Sequence, residues 1–219
     1  MDLGLTDRVY VVTGGARGLG RATAEALVAE GARVVLSSRS AESLDQAVAE
    51  LGDQAVVVAA DNNDPATPGR LIAAAQERWG RLDGALISVG GPPKGPVSGE
   101  RAITDEQWTQ AFGSVFLGAV RLAREIGGVL PRGGSLALVL SSSVRVPLSD
   151  MAISNGLRPG LAMVAKTLAD ELGPRGIRVN GLLPGRVDTE RVAELDALSG
   201  DPDAARQAAV ATIPLGRYG

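Results

Sequence analysis

A short glycine-rich segment near the N-terminus has the residue types and spacing of a phosphate-binding loop. Gly14, Gly18 and Gly20 directly follow a buried apolar run and open a helical pattern. Only glycine lets a backbone turn this tightly and bring its N–H groups close to a ligand, and the dipole of the following helix favours a negative group. The context predicts that the loop binds the pyrophosphate of a dinucleotide, while the plainer alternative is a tight strand-to-helix turn.

The end of the second predicted strand bears on which dinucleotide binds. An acidic residue there would bind the ribose 2′-hydroxyl group and repel a 2′-phosphate, but the sequence has Ser37, Ser38 and Arg39 instead. A guanidinium can bind a phosphate through two parallel hydrogen bonds, and Arg17 supplies a second one in the loop. NADP(H) is therefore the preferred cofactor, with NAD(H) as the alternative if Arg39 is only a solvated residue at a strand end.

The chain contains no histidine and no cysteine, which narrows its chemistry. A thiol nucleophile, a disulfide framework and the usual zinc site are excluded, and we predict no metal site. Because histidine is the commonest general base, proton transfer must instead rely on tyrosine, lysine, a carboxylate or a hydroxyl group.

Short apolar runs alternate with helical patterns along most of the chain. The predicted strands are Val9–Val12, Arg33–Ser37, Ala55–Ala59, Gly84–Ser88, Ser135–Leu140 and Ile177–Leu182. The predicted helices are one ending near Glu30, then Glu42–Leu51, Pro68–Trp79, a long helix from Thr104 to before Pro131, and Gly156–Leu172 with Pro159 near its first turn. Parallel strands need crossover helices, which cover both faces of the sheet. We therefore predict an α/β, doubly wound Rossmann fold with strand order 3-2-1-4-5-6, as a single domain over residues 1–219.

Composition excludes several classes of partner. The 219 residues, 45% of them hydrophobic, are enough for one substantial core. A net charge of −3 gives no basic surface for nucleic acid. No apolar run approaches the roughly 18–20 residues of a membrane span, and Met1–Arg8 lacks the pattern of a secretory signal. We expect a soluble, cytoplasmic protein.

The loop spacing Thr-Gly-x-x-x-Gly-x-Gly resembles that of the short-chain dehydrogenase/reductase family, and the likeness extends from about Val9 to Gly219. The stretch from Asn180 to Thr189 and the closing Ile213–Arg217 match the family as well. The resemblance implies a small carbonyl or alcohol substrate, a homodimer or homotetramer, an adenine contact from Asp61 and a nicotinamide contact from Val187 and Thr189. The predicted cofactor-binding residues are Thr13, Gly14, Arg17, Gly18, Leu19, Gly20, Arg39, Asp61, Asn62, Gly90, Arg158, Pro184, Gly185, Val187 and Thr189.

At the catalytic positions the sequence departs from the family it resembles, which places a tyrosine and a lysine four residues apart on one helix. Counting back from Leu168–Leu172 puts Ser154 at the tyrosine position and Arg158 at the lysine position. A serine hydroxyl is a far weaker acid than a tyrosine phenol, whose pKa is about 10, and arginine gives up no proton. The pattern Ser-Asn-x-Leu-Arg, which includes Asn155, resembles a divergent subgroup described as 3-oxoacyl-acyl-carrier-protein reductase-like.

The family's other two catalytic residues are a serine after the fifth strand and an asparagine on the long helix. Ser141 matches the serine, although Ser142 and Ser143 follow it directly and leave the register open; we expect those two to be structural. Counting from Trp108, the asparagine position is Val115. The predicted catalytic residues are Ser141, Ser154 and Arg158, because Tyr10, Tyr218 and Lys166 are too far away in the predicted fold to replace the missing groups.

Three interpretations remain open. The serines and Arg158 can polarise a carbonyl while water supplies the proton, which favours an NADP(H)-dependent oxidoreductase with an atypical active site. The protein can instead bind the dinucleotide without turnover, as a sensor or regulatory subunit. The Ser-Asn-Gly-Leu-Arg segment can also serve a chemistry unlike that of the family.

The residues after about 188 say least about fold and function. Residues from about 188 to 212 are predicted to form a mobile substrate lid, because apolar residues at helical spacing are sparse and the stretch Ser199–Pro202 interrupts the pattern. The resemblance implies a further helix and a seventh strand beyond Gly219, so we expect a sheet without that final strand and with the sixth strand at its edge.

Overall fold

Strands and helices alternate along the chain in the computed structural model, which describes residues 2–198 and 200–219. The strands are β1 (Val9–Thr13), β2 (Arg33–Ser38), β3 (Ala55–Ala59), β4 (Gly84–Ser88), β5 (Ser135–Val139) and β6 (Arg178–Leu182). The helices are α1 (Gly18–Ala29), α2 (Ala41–Leu51), α3 (Thr67–Trp79), α4 (Asp105–Ala111), α5 (Gly118–Val129), α6 (Ala152–Leu172), α7 (Glu190–Ala197) and α8 (Pro202–Val210). Within the described residues, no helix is both long and apolar enough to cross a membrane.

The six strands form one parallel sheet in the order β3-β2-β1-β4-β5-β6. The predicted doubly wound α/β fold and strand order are confirmed. Because all strands run in the same direction, their carboxyl ends lie along one edge of the sheet, which is where ligands bind in open α/β folds. The chain leaves this edge at Gly14, Val89 and Leu140, so the glycine-rich loop and the serine cluster share it.

Helices cover both faces of the sheet, and apolar residues on each face form a core. In β2, Val35 packs in a cluster with residues of α3, α5 and α6, whereas Val34 and Leu36 pack on the opposite face with residues of α1 and α2. Adjacent residues of a strand point to opposite faces, so a run that is apolar at every position is buried between two helical layers. Fully burying an aliphatic side chain of this kind stabilises the fold by about 1.5–3 kcal/mol.

Two helices differ from their predicted form. The helix predicted over Gly156–Leu172 begins at Ala152, because the buried Ile153 and Ser154 belong to its inward face. Pro159 therefore lies in the interior of α6 and has no N–H to donate to the Asn155 carbonyl. The predicted long helix after Thr104 is interrupted by a π-helical segment, Phe112–Leu117, between α4 and α5. Its start is as expected, with Thr104 and Gln107 forming a capping box.

Residue contacts divide the chain into two compact units, Met1–Leu183 and Pro184–Gly219. The first contains the sheet and α1–α6. In the second, which contains α7 and α8, Arg186 pairs with the buried Asp196, and the Tyr218 hydroxyl donates to Asp196 Oδ2 at 3.0 Å. The predicted lid falls in this unit, where two helices form despite the sparse apolar pattern; Ser199, part of the predicted break, lies outside the described residues. A single domain over 1–219 stays a prediction, as does the lid's mobility.

Candidate functional site

The glycine-rich loop is built by close backbone approach. A Cβ atom at Gly20 would lie 2.2 Å from the carbonyl oxygen of Gly14, and one at Gly14 would lie 2.9 Å from the carbonyl oxygen of Ser88. Gly14 and Gly18 also have φ angles of 61° and 53°, which disfavour residues with a side chain. The loop therefore folds back tightly between the ends of β1 and β4 and the start of α1.

The start of α1 has the character of an anion site. The Arg17 side chain makes no capping hydrogen bond to the helix, and the first turn contains no acidic residue. Both features suit a negative ligand, because the first N–H groups of a helix and the positive end of its dipole attract an anion. Thr13, the last residue of β1, fixes the start of the loop: its buried hydroxyl donates to the Ser88 carbonyl and accepts from the Ser88 N–H, both at 2.9 Å. These two hydrogen bonds tie β1 to β4 beneath the loop.

The residues predicted to select the cofactor lie at the end of β2, and those predicted to bind its adenine end follow β3. Arg39 is exposed, immediately after β2. Ser37 is buried, and its hydroxyl has no hydrogen-bond partner in the part of the chain that the structure describes. Asp61 is exposed and accepts from the Asn63 N–H at 2.9 Å. Asn62 packs closely on α5, because a Cβ atom at Gly118 would lie 2.4 Å from the Asn62 carbonyl oxygen.

The serines after β5 differ in what their hydroxyl groups contact. Ser141 caps a short 3₁₀ turn by accepting from the Ser143 N–H at 3.1 Å. Ser143, rather than Ser141, reaches Ser154: their hydroxyl oxygens lie 3.0 Å apart, and the Ser143 hydroxyl is 3.3 Å from the Ser154 carbonyl oxygen. Both Ser143 and Ser154 are buried. The structure thus pairs Ser143, and not Ser141, with Ser154, while the catalytic role of Ser141 stays a prediction.

Arg158 lies one turn after Ser154 on α6 and is only 5% exposed. Its Nη1 group donates to the carbonyl oxygen of Val139, the last residue of β5, at 2.5 Å, whereas its Nε group has no partner in the described residues. Burial lowers the pKa of the Arg158 guanidinium to about 10, so it stays charged at neutral pH. The site therefore contains a positive charge that still has hydrogen-bonding capacity.

The helices that carry this cluster are held together at glycines. Cβ atoms at Gly156 and Gly160 would lie 3.0 Å from the Trp108 ring and 3.2 Å from the Phe116 ring. Phe116 belongs to the π-helical segment, as does the buried Val115 that stands at the family's asparagine position. π-Helical turns recur at functional sites. This turn, which includes the small residues Gly113 and Ser114, was not predicted from the sequence.

Asn155, the second residue of the Ser-Asn-x-Leu-Arg pattern, fixes the loop that precedes α6. Its carboxamide accepts from the Leu148 N–H at 3.0 Å and donates to the Leu148 carbonyl at 2.8 Å. The same loop pairs with the segment after β4, because the Gly95 N–H donates to the Asp150 carbonyl at 2.8 Å. Asp150 adopts a φ of 55°, a conformation costly for a residue with a side chain. Two loops are thus joined beside the serines.

The remaining predicted residues are Gly90, in the first unit, and four residues of the second unit. Gly90 is exposed, with no atom within 4 Å of a Cβ built on it. Pro184, Gly185, Val187 and Thr189 belong to the second unit, where the Thr189 hydroxyl caps α7 by accepting from the Val192 N–H at 3.4 Å. The cofactor contacts predicted for these residues stay predictions. The described residues contain no group of three or more acidic side chains placed to hold a metal ion.

Comparisons with known proteins agree with this architecture. A family model described as enoyl-(acyl carrier protein) reductase matches residues 14–219. An uncharacterised oxidoreductase of Methylorubrum extorquens is 32% identical over 219 residues, covering 98% of this chain and 86% of the relative. Sorbitol dehydrogenase of Cereibacter sphaeroides is 31% identical over 226 residues, with the same coverage. The crystal structure of L-sorbose reductase from Gluconobacter frateurii, complexed with NADPH and L-sorbose, superposes with a TM-score of 0.89 at 27% identity, covering 100% of this chain and 87% of that one.

Proposed function

Because this chain belongs to the short-chain dehydrogenase/reductase family of oxidoreductases, we propose that it reduces a small carbonyl compound, or oxidises the corresponding alcohol, with NADP(H) at an atypical active site. The observation that carries this proposal is the buried cluster of Ser143, Ser154 and Arg158 at the carboxyl end of β5. It offers hydroxyl donors and a positive charge on the sheet edge that also carries the glycine-rich loop. The NADPH of the sorbose reductase complex adds support for the cofactor.

The residues present fit a dinucleotide phosphate. The space that a Cβ atom at Gly20 would fill, the positive φ angles of Gly14 and Gly18, and the uncapped start of α1 form a cradle for the pyrophosphate. Arg39 would hold a 2′-phosphate and Asp61 the adenine edge. When bound, NADPH supplies the hydride that a carbonyl carbon accepts.

Because no tyrosine stands at the catalytic position, the proton that the substrate oxygen takes up must come from another group. Ser143 has a single hydroxyl proton and two acceptors within reach, the carbonyl and the hydroxyl of Ser154. If Ser143 donates to the Ser154 hydroxyl, then the Ser154 proton is free to point at a substrate oxygen. The hydroxyl and the Arg158 charge would stabilise the developing alkoxide, and water would deliver the proton that completes the alcohol.

The first test is binding of NADPH and NADH, followed by oxidation of NADPH with a panel of ketones and aldehydes. We expect tighter binding of NADPH. Arg39→Ala should weaken NADPH binding by about tenfold or more and leave NADH binding unchanged, because it removes a charge-assisted contact to the 2′-phosphate alone. Fluorescence titration measures both constants. Equal losses for the two cofactors would argue against the 2′-phosphate contact, and no binding of either would overturn the proposal.

Ser154→Ala should lower kcat/KM for the best substrate of that panel by about 100-fold, because it removes one donor to the developing alkoxide. The affinity for NADPH should stay unchanged. Ser149→Ala is the matched control, since Ser149 is an exposed serine in the loop before α6. An unchanged rate in Ser154→Ala would remove Ser154 from the mechanism.

One observation favours a second candidate function, a dinucleotide-binding sensor or regulatory protein without turnover. Ser154 is only 3% exposed and already paired with Ser143, so a substrate oxygen has little access to its hydroxyl group. Binding of NADPH without oxidation of the cofactor by any member of the panel would support this candidate over the reductase.

Assembly into a homodimer or homotetramer is part of the proposal. Phe112 is 46% exposed and stacks on Phe116, which packs against Gly160 of α6; Met163, one turn further along α6, is 61% exposed. These apolar side chains make a candidate interface between copies of the chain. The molar mass in solution, measured by light scattering, distinguishes dimer, tetramer and monomer. We also expect the protein to be located in the cytoplasm.

A further inference from the structure

Arg158 carries a buried charge that the described chain does not neutralise. No carboxylate of residues 2–198 or 200–219 forms an ion pair with it, and its one hydrogen bond is to the backbone oxygen of Val139. The neighbouring Ser143 and Ser154 side chains are neutral. Buried charges in proteins are normally paired, because removing an ion from water is costly unless an opposite charge compensates it.

Arginine cannot relieve this cost by giving up its proton near neutral pH. With the pKa of Arg158 lowered to about 10 by burial, the guanidinium stays positive across the physiological range. Nη1 donates to Val139, and Nε has no partner among the residues that the structure describes. An edge with parallel N–H groups matches the two oxygens of a carboxylate. A neutral hydroxyl group, including one of the cofactor that Arg158 was predicted to bind, would fill a hydrogen bond without balancing the charge. The missing partner is therefore an anion.

The position of Arg158 separates it from the phosphates proposed for the cofactor. Arg158 is bound to the end of β5, whereas the glycine-rich loop follows β1, with β4 between them. Two strand spacings amount to about 10 Å. Arg39, proposed for the 2′-phosphate, follows β2 on the far side of β1. The cofactor phosphates thus lie on another part of the sheet edge.

We propose that Arg158 binds a carboxylate group of the substrate, so that the carbonyl compound this protein reduces is an oxo acid. This inference rests on the proposed oxidoreductase function and specifies its substrate class; it assigns the Arg158 charge to the substrate carboxylate and leaves the Ser154 hydroxyl to stabilise the developing alkoxide. Ser154, one helical turn away, would face the carbonyl oxygen of the same molecule. The site thereby selects against neutral ketones and polyols, which leave the Arg158 charge uncompensated.

The test compares acetoacetate with acetoacetamide, two probes of nearly equal size that differ in charge. Binding to the NADP⁺-saturated protein and to the cofactor-free protein is measured by calorimetry at constant ionic strength. We expect the dissociation constant of acetoacetate to be lower than that of the amide by about tenfold or more. The preference should vanish in Arg158→Met, persist in part in Arg158→Lys, and remain intact in Arg124→Gln, which removes an exposed arginine of α5.

Equal affinity for the two probes, undetectable binding of acetoacetate, or a preference that survives in Arg158→Met would overturn the assignment. Arg158→Met should fold, because replacing a buried charge with an apolar side chain of similar length is often neutral or stabilising. Failure of the proposed function is distinguishable: it would appear as absent NADPH binding or oxidation, whereas the charge preference is measured without turnover.

Discussion

Gly20→Ala is expected to abolish tight binding of NADPH. The new Cβ atom would lie 2.2 Å from the Gly14 carbonyl oxygen and 2.8 Å from the Gly14 carbonyl carbon, distances at which the loop must move. Because the obstacle is backbone, the change displaces the N–H groups that would bind the pyrophosphate. Each hydrogen bond to a charged group contributes about 1.5–3 kcal/mol, so losing one or two of them should weaken NADPH binding by about 100-fold.

The matched control is Gly69→Ala. Gly69 lies in α3, has no atom within 4 Å of a built Cβ and does not adopt a positive φ. Alanine at position 69 should leave NADPH affinity unchanged and raise the free energy of unfolding slightly, because alanine has a higher helix propensity than glycine. Fluorescence titration with NADPH and thermal unfolding are measured on both variants. An affinity in Gly20→Ala within twofold of the parent protein would mean that the loop does not bind the cofactor.

Among the proposed variants, Asp83→Ala is expected to lower the free energy of unfolding most. Asp83 is only 3% exposed and accepts hydrogen bonds from the Val9 N–H at 2.9 Å, from Arg8 at 2.8 Å, and from Arg81 at 2.9 and 2.7 Å. Removing the carboxylate leaves these donors without their acceptor where the chain enters β1 and β4. We expect the free energy of unfolding to fall by about 2–4 kcal/mol. Denaturant unfolding measures it, with the exposed Asp45→Ala as the control.

The same residue predicts a pH dependence. Burial by itself would raise the pKa of Asp83, but the hydrogen bonds from Arg81, the Val9 N–H and Arg8 outweigh it and lower the pKa below its ordinary value of 3.8. The stabilising contribution of Asp83 is thus complete above pH 3.8 and is lost as the pH falls through the lowered value. Unfolding of Asp83→Ala should therefore depend less on pH below 3.8 than that of the parent protein. Identical profiles in the two proteins would contradict this account.

The sequence alone was enough to predict those elements whose local hydrophobic pattern matches their place in the fold. The strand bounds at Val9–Thr13 and Ala55–Ala59 could be predicted to within one residue, because each strand is a short, mostly apolar run that ends at polar or small residues. The tight turn at Gly20 was also predictable, because Gly14, Gly18 and Gly20 directly follow a strand and open a helix.

Partner choice among the serines was decided only by tertiary structure. Ser141, Ser142 and Ser143 are chemically alike and adjacent, and a one-residue shift in register changes which of them meets α6. The fold of the 3₁₀ turn directs Ser143 to Ser154 and leaves Ser141 as a cap. The early start of α6 and the π-helical turn were likewise hidden, because both depend on packing between helices distant in sequence.

The sequence by itself thus determined the α/β fold, the strand order and the place of the glycine-rich loop, because hydrophobic periodicity and glycine spacing are local properties of the chain. Tertiary structure alone decided that Arg158 is buried without a counter-charge among the described residues and that Ser154 is paired with Ser143. Burial and pairing are sums over residues brought together from separate strands and helices, so no local pattern carries them.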